Sequence, residues 1–370
     1  MRELTTALPR DPAELTPEWL TLALRESGAI GAGHTITSVE AERLGEGVGF
    51  IGVVARLRLG YAGDGPLRSV IAKMPSSEEG ARMIGNMYGL YEREVHFYRD
   101  VASRVGVATP RAYHAAWDAD AGQSLILLED LSPTGSLGDQ VGGCPLEHAQ
   151  LAIANLAQFH ATWNDATKLS TIPWLQDGAE LVRTSMTQAY EASQGPFLDL
   201  FGGRLDPTVR AIVPGLNERV MRMIDELVVD ERLTAAHGDY RLDNLFFGGP
   251  DAPYQVAVID WQSINRGWGA YDLAYFLSGS FPAEQRRAYE SELLRTYHTT
   301  MSASPQMAGY SLDDLTNDYR RSLLVYLAIF VINGATLEMT NQRAVDLFNV
   351  IFDRLNAALV ELDAIKLLPE

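Results

Sequence analysis

The 370-residue chain is 46% apolar and 21% charged, an ordinary balance for a globular protein long enough to hold two cored domains. Its formal charge of −18, with no run of Lys and Arg to relieve it, repels polyanions, so neither nucleic acid nor an anionic membrane is an expected partner. One cysteine, Cys144, cannot close an internal disulfide, and the first thirty residues lack an apolar core of signal-peptide length, so a cytoplasmic protein is expected.

In chain order, Leu15, Trp19, Leu22 and Ala23 predict a leading helix over 14–27, with Gly28 where it could stop. Between Ser38 and Pro75 the runs Val39–Leu44, Val53–Leu59 and Val70–Met74 are short and separated by glycine-rich turns, which predicts an antiparallel meander. Ile84, Met87, Tyr88, Tyr91, Val95 and Tyr98 repeat at three and four residues and predict one helix over roughly 80–102. Two further runs, Arg111–Trp117 and Ser124–Glu129, complete the sheet.

After Leu131 the pattern turns helical. Pro145 can open a helix with Ala149, Ile153, Leu156, Phe159 and Trp163 on one face, and Leu347, Ile351, Leu355 and Leu359 mark the last helix. The apolar run from Leu323 to Asn333 falls short of the ~20 residues of a membrane span and predicts a buried helix. The expectation is an α+β chain of two lobes, a sheet-rich one at 1–130 and a larger helical one at 131–370, with a ligand site where they meet.

Chemistry-bearing residues fall in the same order. Leu44-Gly45-Glu46-Gly47-Val48-Gly49-Phe50-Ile51-Gly52 is a glycine loop between two strands, not the strand-to-helix turn of a dinucleotide fold. Flexible backbone there could close over phosphates, with Gly45, Gly47 and Gly49 as the contacts; the bland reading is a plain hairpin. Lys73 ends Val70-Ile71-Ala72-Lys73, where an ammonium could meet those phosphates. A carboxylate on the next helix could hold it, and periodicity leaves Glu92 and Glu94 equally placed. Leu128-Glu129-Asp130-Leu131 leaves the sheet where the main chain of Glu129 and Leu131 could hydrogen-bond an adenine edge.

The densest signal is His237-Gly238-Asp239-Tyr240-Arg241-Leu242-Asp243-Asn244 followed by Val258-Ile259-Asp260-Trp261-Gln262. Phosphoryl transfer needs one carboxylate to accept a hydroxyl proton, and hard oxygen ligands for the magnesium that bridges nucleotide phosphates. Asp239, Asn244 and Asp260 supply these in order, and a strand over 254–259 would return Asp260 beside Asn244. Singly each has a dull explanation as a cap or turn residue; together they form a constellation.

These motifs resemble the aminoglycoside phosphotransferase and choline kinase superfamily, including its ecdysteroid-kinase-like branch. The likeness runs from Gly45 through Lys73, Tyr91-Glu92-Arg93-Glu94 and Leu128-Glu129-Asp130-Leu131 to Asp272-Leu273-Ala274. It implies a bilobal kinase-like fold, ATP as donor with GTP not excluded, Mg2+, and transfer to a hydroxyl of a small molecule. It further implies Asp239 as the catalytic base, Asn244 and Asp260 as metal ligands, and Lys73 with Glu94 as the phosphate-orienting pair. Trp261-Gln262 stands where protein kinases have Phe-Gly, and no Ala-Pro-Glu follows, which favours a small acceptor.

For that acceptor, the variable region 165–235 offers Trp174, Met186, Tyr190, Phe197 and Phe201 for an apolar alcohol. It also offers Asp177, Glu180 and Glu191 for an amine such as an aminoglycoside or amino alcohol. A non-antibiotic metabolite is the favoured expectation, and a nucleotide-binding regulatory module without transfer is the alternative of another class. His237 and Asp272 are expected to brace the catalytic loop, and His160 to pack in the core.

Overall fold

The computed structural model describes residues 8–45, 51–229, 232–337 and 341–370. Helix α1 (Pro17–Glu26) starts at Thr16, whose hydroxyl accepts the Trp19 N–H, with Pro17 at the first helical position. Strands β1 (Ile36–Leu44), β2 (Gly52–Tyr61) and β3 (Ser69–Pro75) form the expected meander. Helices α2 (Glu79–Met87) and α3 (Leu90–His96) follow, then β4 (Ala112–Asp118) and β5 (Gln123–Glu129). The sheet order is β1-β2-β3-β5-β4, antiparallel throughout, so the newest hairpin docks against β3 through β5.

The single helix expected over 80–102 is broken. Gly89 sits at φ 62°, a left-handed conformation that an L side chain resists, and it ends α2 and starts α3 in a new direction. Beyond α3 the backbone widens into a π turn at Phe97–Val101.

Strand β5 is covered on both faces, and its alternation sorts two cores. Leu125 and Leu127 join Leu20, Leu24, Leu57 and Val70 beneath α1. Ile126 and Leu128 point the other way, into a large cluster that includes Val95, Phe97 and Tyr98 together with the helices after residue 131. The chain does leave the sheet near Leu131, yet the inner face of the sheet and α3 share their apolar core with the helical part.

That part holds β6 (Gly135–Leu137), α4 (Leu146–Trp163), α5 (Ala166–Leu169), α6 (Gly178–Gln188), α7 (Tyr190–Phe201), α8 (Pro207–Ile212) and α9 (Leu216–Leu227). Short strands then carry the loops of interest: β7 (Leu233–Ala236), β8 (Leu245–Gly248), β9 (Val256–Val258) and β10 (Asn265–Trp268). β8 lies between β6 and β9, and β7 pairs with β10. Helices α10 (Gly269–Ser280), α11 (Ala283–Met301), α12 (Leu312–Ala335) and α13 (Gln342–Glu361) complete the chain. The run at 323–333 lies in α12, buried from Leu323 to Ala328 and at Phe330 and Val331 but not at Ile329 or Asn333, and no helix among the described residues is long and apolar enough to cross a membrane.

Replacing Gly89 by Ala isolates the cost of the left-handed turn, because an added Cβ would meet nothing closer than Gln176 Nε2 at 3.6 Å. Gly89→Ala is expected to lower stability by about 1 kcal/mol. The measurement is a denaturant titration in which the midpoint falls and the slope is unchanged.

Candidate active site

The candidate catalytic loop, which carries Asp239 and Asn244, is held from below. Strand β7 ends at Ala236, and the next two backbone N–H groups, of His237 and Gly238, donate to the two oxygens of Asp272 at 2.6 and 2.8 Å. Asp272 is fully buried in the first turn of α10, and His160 from α4 approaches it at 3.1 Å while bonding Tyr297 at 2.7 Å. His160 is therefore part of a polar brace and not only a packing residue. Gly238 turns at φ 80°, and a Cβ there would lie 2.6 Å from the Ser263 carbonyl, so the position requires glycine.

Past this turn, Asn244 donates through Nδ2 to the Asp239 carbonyl at 2.9 Å and to Asp239 Oδ2 at 2.8 Å. The loop closes on itself, and Asn244 Oδ1 has no protein partner among the described residues. The expected return strand is β9, paired with β8 from Leu245↔Val258, and the Ile259 N–H donates to the Asn244 carbonyl at 3.0 Å. Asp260 thereby emerges beside Asn244. His237 Nε2 lies 3.1 Å from the Ile259 carbonyl and links the two loops from behind, the bracing role expected of it.

Asp260 adopts φ 64° and ψ 63°, a left-handed conformation rare outside glycine that costs on the order of 1–3 kcal/mol. The residue that follows maintains it. Trp261 is fully buried, stacks on Phe97 with ring centres 4.1 Å apart, and donates its indole N–H to Val258 O and Thr109 Oγ1, both at 3.0 Å. An anchored indole leaves this loop no ready way to flip, in contrast to a mobile Phe-Gly turn.

Lys73, on β3, reaches both lobes: its Nζ lies 2.7 Å from Glu94 Oε1 on α3 and 2.7 Å from Asp260 Oδ1. The ambiguity between two glutamates resolves to Glu94, which is buried; Glu92 is exposed and pairs with His96. Burial alone would lower the Lys73 pKa, and the facing charges of Asp260 and Glu94 more than reverse it, so the ammonium is held above its ordinary value. Burial also pushes Asp260 up, but Lys73 outweighs it and the carboxyl stays below its usual range. Glu94 has less help. Burial, with the nearby Asp260 charge, drives it up to about 7 against the pull of Lys73.

Arg93, beside Glu94, is buried among neutral acceptors: it donates to the Gln262 carbonyl at 3.1 Å, to the Tyr88 carbonyl at 2.7 Å and to Gln176 Oε1. It thus ties α3 to the loop after Asp260, and desolvation lowers its pKa to about 10. Arg93 has no role legible in the sequence, although it sits beside Glu94, and Trp261 is marked there only as replacing the Phe of Phe-Gly and not as an anchor.

Among the nucleotide contacts expected from sequence, Gly47 and Gly49 lie outside the described residues. Gly45 is exposed at the end of β1 with φ 64°. At the connection between sheet and helices, the Glu129 N–H already donates to Arg111 O at 2.8 Å, and the Leu131 carbonyl receives the N–H groups of Thr134 and Gly135. The Leu131 N–H has no protein partner among the described residues. Asp130 is a staple and not a solvated acid, accepting from Arg56 Nε at 2.8 Å and Ser69 Oγ at 2.7 Å.

A cleft of about 310 Å³ opens beside the catalytic loop, with Gly238, Ser263 and Asn265 on one wall. Its other walls come from Ile84 and Leu90, from Leu181 and Val182 of α6, from Trp268 and Tyr271, and from Ile329 of α12. Among the described residues, Arg93 is the one charged residue of its lining, and none of them that line it is Asp or Glu.

The residues nominated from region 165–235 are corrected here, because none lines this cleft. Met186, Tyr190, Phe197 and Phe201 are buried in the large core, and Trp174 bonds Asp100 and stacks on His96. Asp177 caps α6, Glu180 pairs with Arg183, and Glu191 accepts from Asn217. The region does contribute a wall, through the neighbouring face of α6.

Comparison with known proteins agrees with this geometry. The model of the ecdysteroid kinase-like family matches residues 46–310. An uncharacterized kinase-like protein of Caenorhabditis elegans is 23% identical over 235 residues, 62% of each chain. Acyl-CoA dehydrogenase family member 10 of Mus musculus is 36% identical over 75 residues, 19% of this chain and 7% of that one. The chain thus spans less than two thirds of these curated relatives.

Similar solved structures include the GDP and kanamycin complex of APH(2″)-IIIa, with a TM-score of 0.56 at 16% identity, covering 94% of this chain and 98% of that one. Plasmodium vivax ethanolamine kinase superposes with a TM-score of 0.51 at 11% identity, covering 87% and 82%. Such identities speak for the fold alone. With the family match covering well over half its length, the chain belongs to the ecdysteroid kinase-like family and has the bilobal fold of the small-molecule kinases.

Proposed function

We propose that the protein transfers the γ-phosphoryl group of ATP to a hydroxyl of a small, largely apolar and non-cationic molecule, with Mg2+ required. The observation that carries this is the junction of Asp239, Asn244, Asp260 and the Lys73–Glu94 pair, next to a cleft that Gly238 lines and whose described lining holds no Asp or Glu.

The donor set suits magnesium. Asn244 Oδ1 and the second oxygen of Asp260 are hard ligands left without protein partners among the described residues. No group of three or more His, Cys, Asp or Glu among those residues is arranged to hold a metal, so the remaining ligands would be nucleotide phosphates and water. When bound, the ion supplies charge neutralisation at the phosphates. Lys73, oriented by Glu94, would bind the same phosphates.

Asp239 would orient the acceptor hydroxyl and take its proton as the oxygen bonds to the γ-phosphorus and the bond to the β-bridging oxygen breaks, releasing ADP. Asn244 fixes Asp239 for that task through two hydrogen bonds. Catalysis of this kind is positioning and electrostatics, with little covalent work for the protein.

The acceptor class follows from the cleft walls. Among the described lining residues, a polycation such as kanamycin would face the charge of Arg93 and no carboxylate to offset its ammonium groups. Ile84, Leu181, Val182, Trp268 and Ile329 instead favour burying an apolar body with its hydroxyl turned towards Gly238.

Asp239→Asn is expected to reduce acceptor-dependent ADP release by roughly 10³-fold or more, with Mg·ADP affinity in calorimetry nearly unchanged. Near-normal turnover in that variant would sink the mechanism. In an ADP-release screen of purified protein, apolar alcohols, hydroxylated acyl compounds, amino alcohols and aminoglycosides, with ATP or GTP, turnover is expected with one of the first two classes. Acceptor-dependent turnover confined to aminoglycosides would overturn the acceptor assignment but not the transfer. ATP binding without turnover on any acceptor would favour a regulatory module.

A further inference from the structure

Within the catalytic loop one cation has no role so far. Arg241 lies two residues after Asp239 and three before Asn244, and its side chain is 15% exposed in a pocket of carboxylates. Its Nη1 donates to Asp243 Oδ2 at 2.5 Å. Asp243 is itself fixed, because its other oxygen accepts the Gln140 N–H at 2.8 Å. Towards Asp239 the contact is loose: Nε lies 3.3 Å from Oδ1 and 3.4 Å from Oδ2, long for a charge-assisted bond. Nη2 has no protein partner among the described residues. The guanidinium is thus anchored at one nitrogen, barely engaged at the second, and open at the third.

We infer that Arg241 is a catalytic residue whose open guanidinium edge binds the γ-phosphoryl group during transfer. This rests on the phosphoryl-transfer reading above. In such a reaction negative charge spreads over three equatorial oxygens beside the group that orients the hydroxyl. Lys73 already has two carboxylates to satisfy, Glu94 and Asp260. Arg241 is next to Asp239 itself. A planar guanidinium suits two phosphoryl oxygens at once, and anchoring by Asp243 means that no reorganisation is needed when they arrive. Arg241 donates N–H groups only; no bond to it forms or breaks.

A purely structural arginine would neutralise Asp239 and Asp243 and do nothing more. The two roles separate without knowledge of the acceptor. In calorimetric titrations of the full chain with Mg2+ and ADP, aluminium fluoride serves as the probe for the phosphoryl position, and the wild type is expected to bind ADP more tightly when it is present.

Arg241→Gln should keep Mg·ADP affinity within about twofold while losing at least tenfold of the fluoride-dependent gain, with Arg241→Lys in between. Acceptor-independent ATP hydrolysis should fall roughly 10²-fold in Arg241→Ala, and added guanidinium ion should recover part of it. An undiminished fluoride gain in Arg241→Gln overturns the inference. So does the absence of such a gain in the wild type, a loss that appears only with an anionic acceptor present, or a failure of guanidinium to rescue. If Arg241→Gln does not fold, Asp243→Asn takes its place; a folded Asp243→Asn with the full fluoride gain is equally fatal. A wild type that does not bind Mg·ADP at all refutes the transfer reading itself.

Discussion

Two backbone N–H groups at the head of the catalytic loop converge on one fully buried carboxylate, Asp272, and much of the site inherits its geometry from that convergence. A strand that ends in the core leaves its next donors unpaired, and burying them without acceptors would cost roughly 1–3 kcal/mol each. Asp272 satisfies both, and His160 and Tyr297 satisfy Asp272 and His160 in turn. From there the direction of the chain through Gly238 is set, then the place of Asp239, and then Asn244 through its bonds back to Asp239. The placement of Asp239 is precise because the acid behind it is buried.

Across the cleft the same economy recurs with opposite charges. One ammonium, Lys73, joins the sheet to α3 and to the Asp260 loop, while Arg93 ties α3 to the carbonyl of Gln262. Trp261 packs between Phe97 and Phe159 and holds the backbone at Asp260 in its left-handed conformation. Apolar packing and ion pairing therefore point the same way at this position, as expected where several levels of structure agree.

Local patterns made much of this legible. Strand runs of alternating character, the step from Asp239 to Asn244, and the apolar return to Asp260 depend on neighbours in sequence, and each appears where its pattern placed it. What escaped is long-range. The break at Gly89 is invisible in a periodicity that continues across it, since Tyr88 and Tyr91 keep the helical spacing. Glu92 and Glu94 straddle the same stripe, and only the position of Lys73 across space separates them. The aromatic residues of 165–235 read as a binding surface because composition cannot tell a cleft wall from a core. Met186, Tyr190 and Phe197 went to the core, and the smaller side chains of α6 went to the cleft.

The two short contacts at Lys73 also bear on how the site would be filled. The ammonium already occupies one oxygen of Asp260, so a free divalent cation arriving alone competes with a tethered one that is entropically ahead. On the proposed phosphoryl-transfer reading, a cation escorted by triphosphate would bring oxygens that could draw the lysine away from Asp260. On that reading metal and nucleotide would load as a single unit, and Lys73, paired with both Glu94 and Asp260, would be the resident counter-ion of the pocket between turnovers.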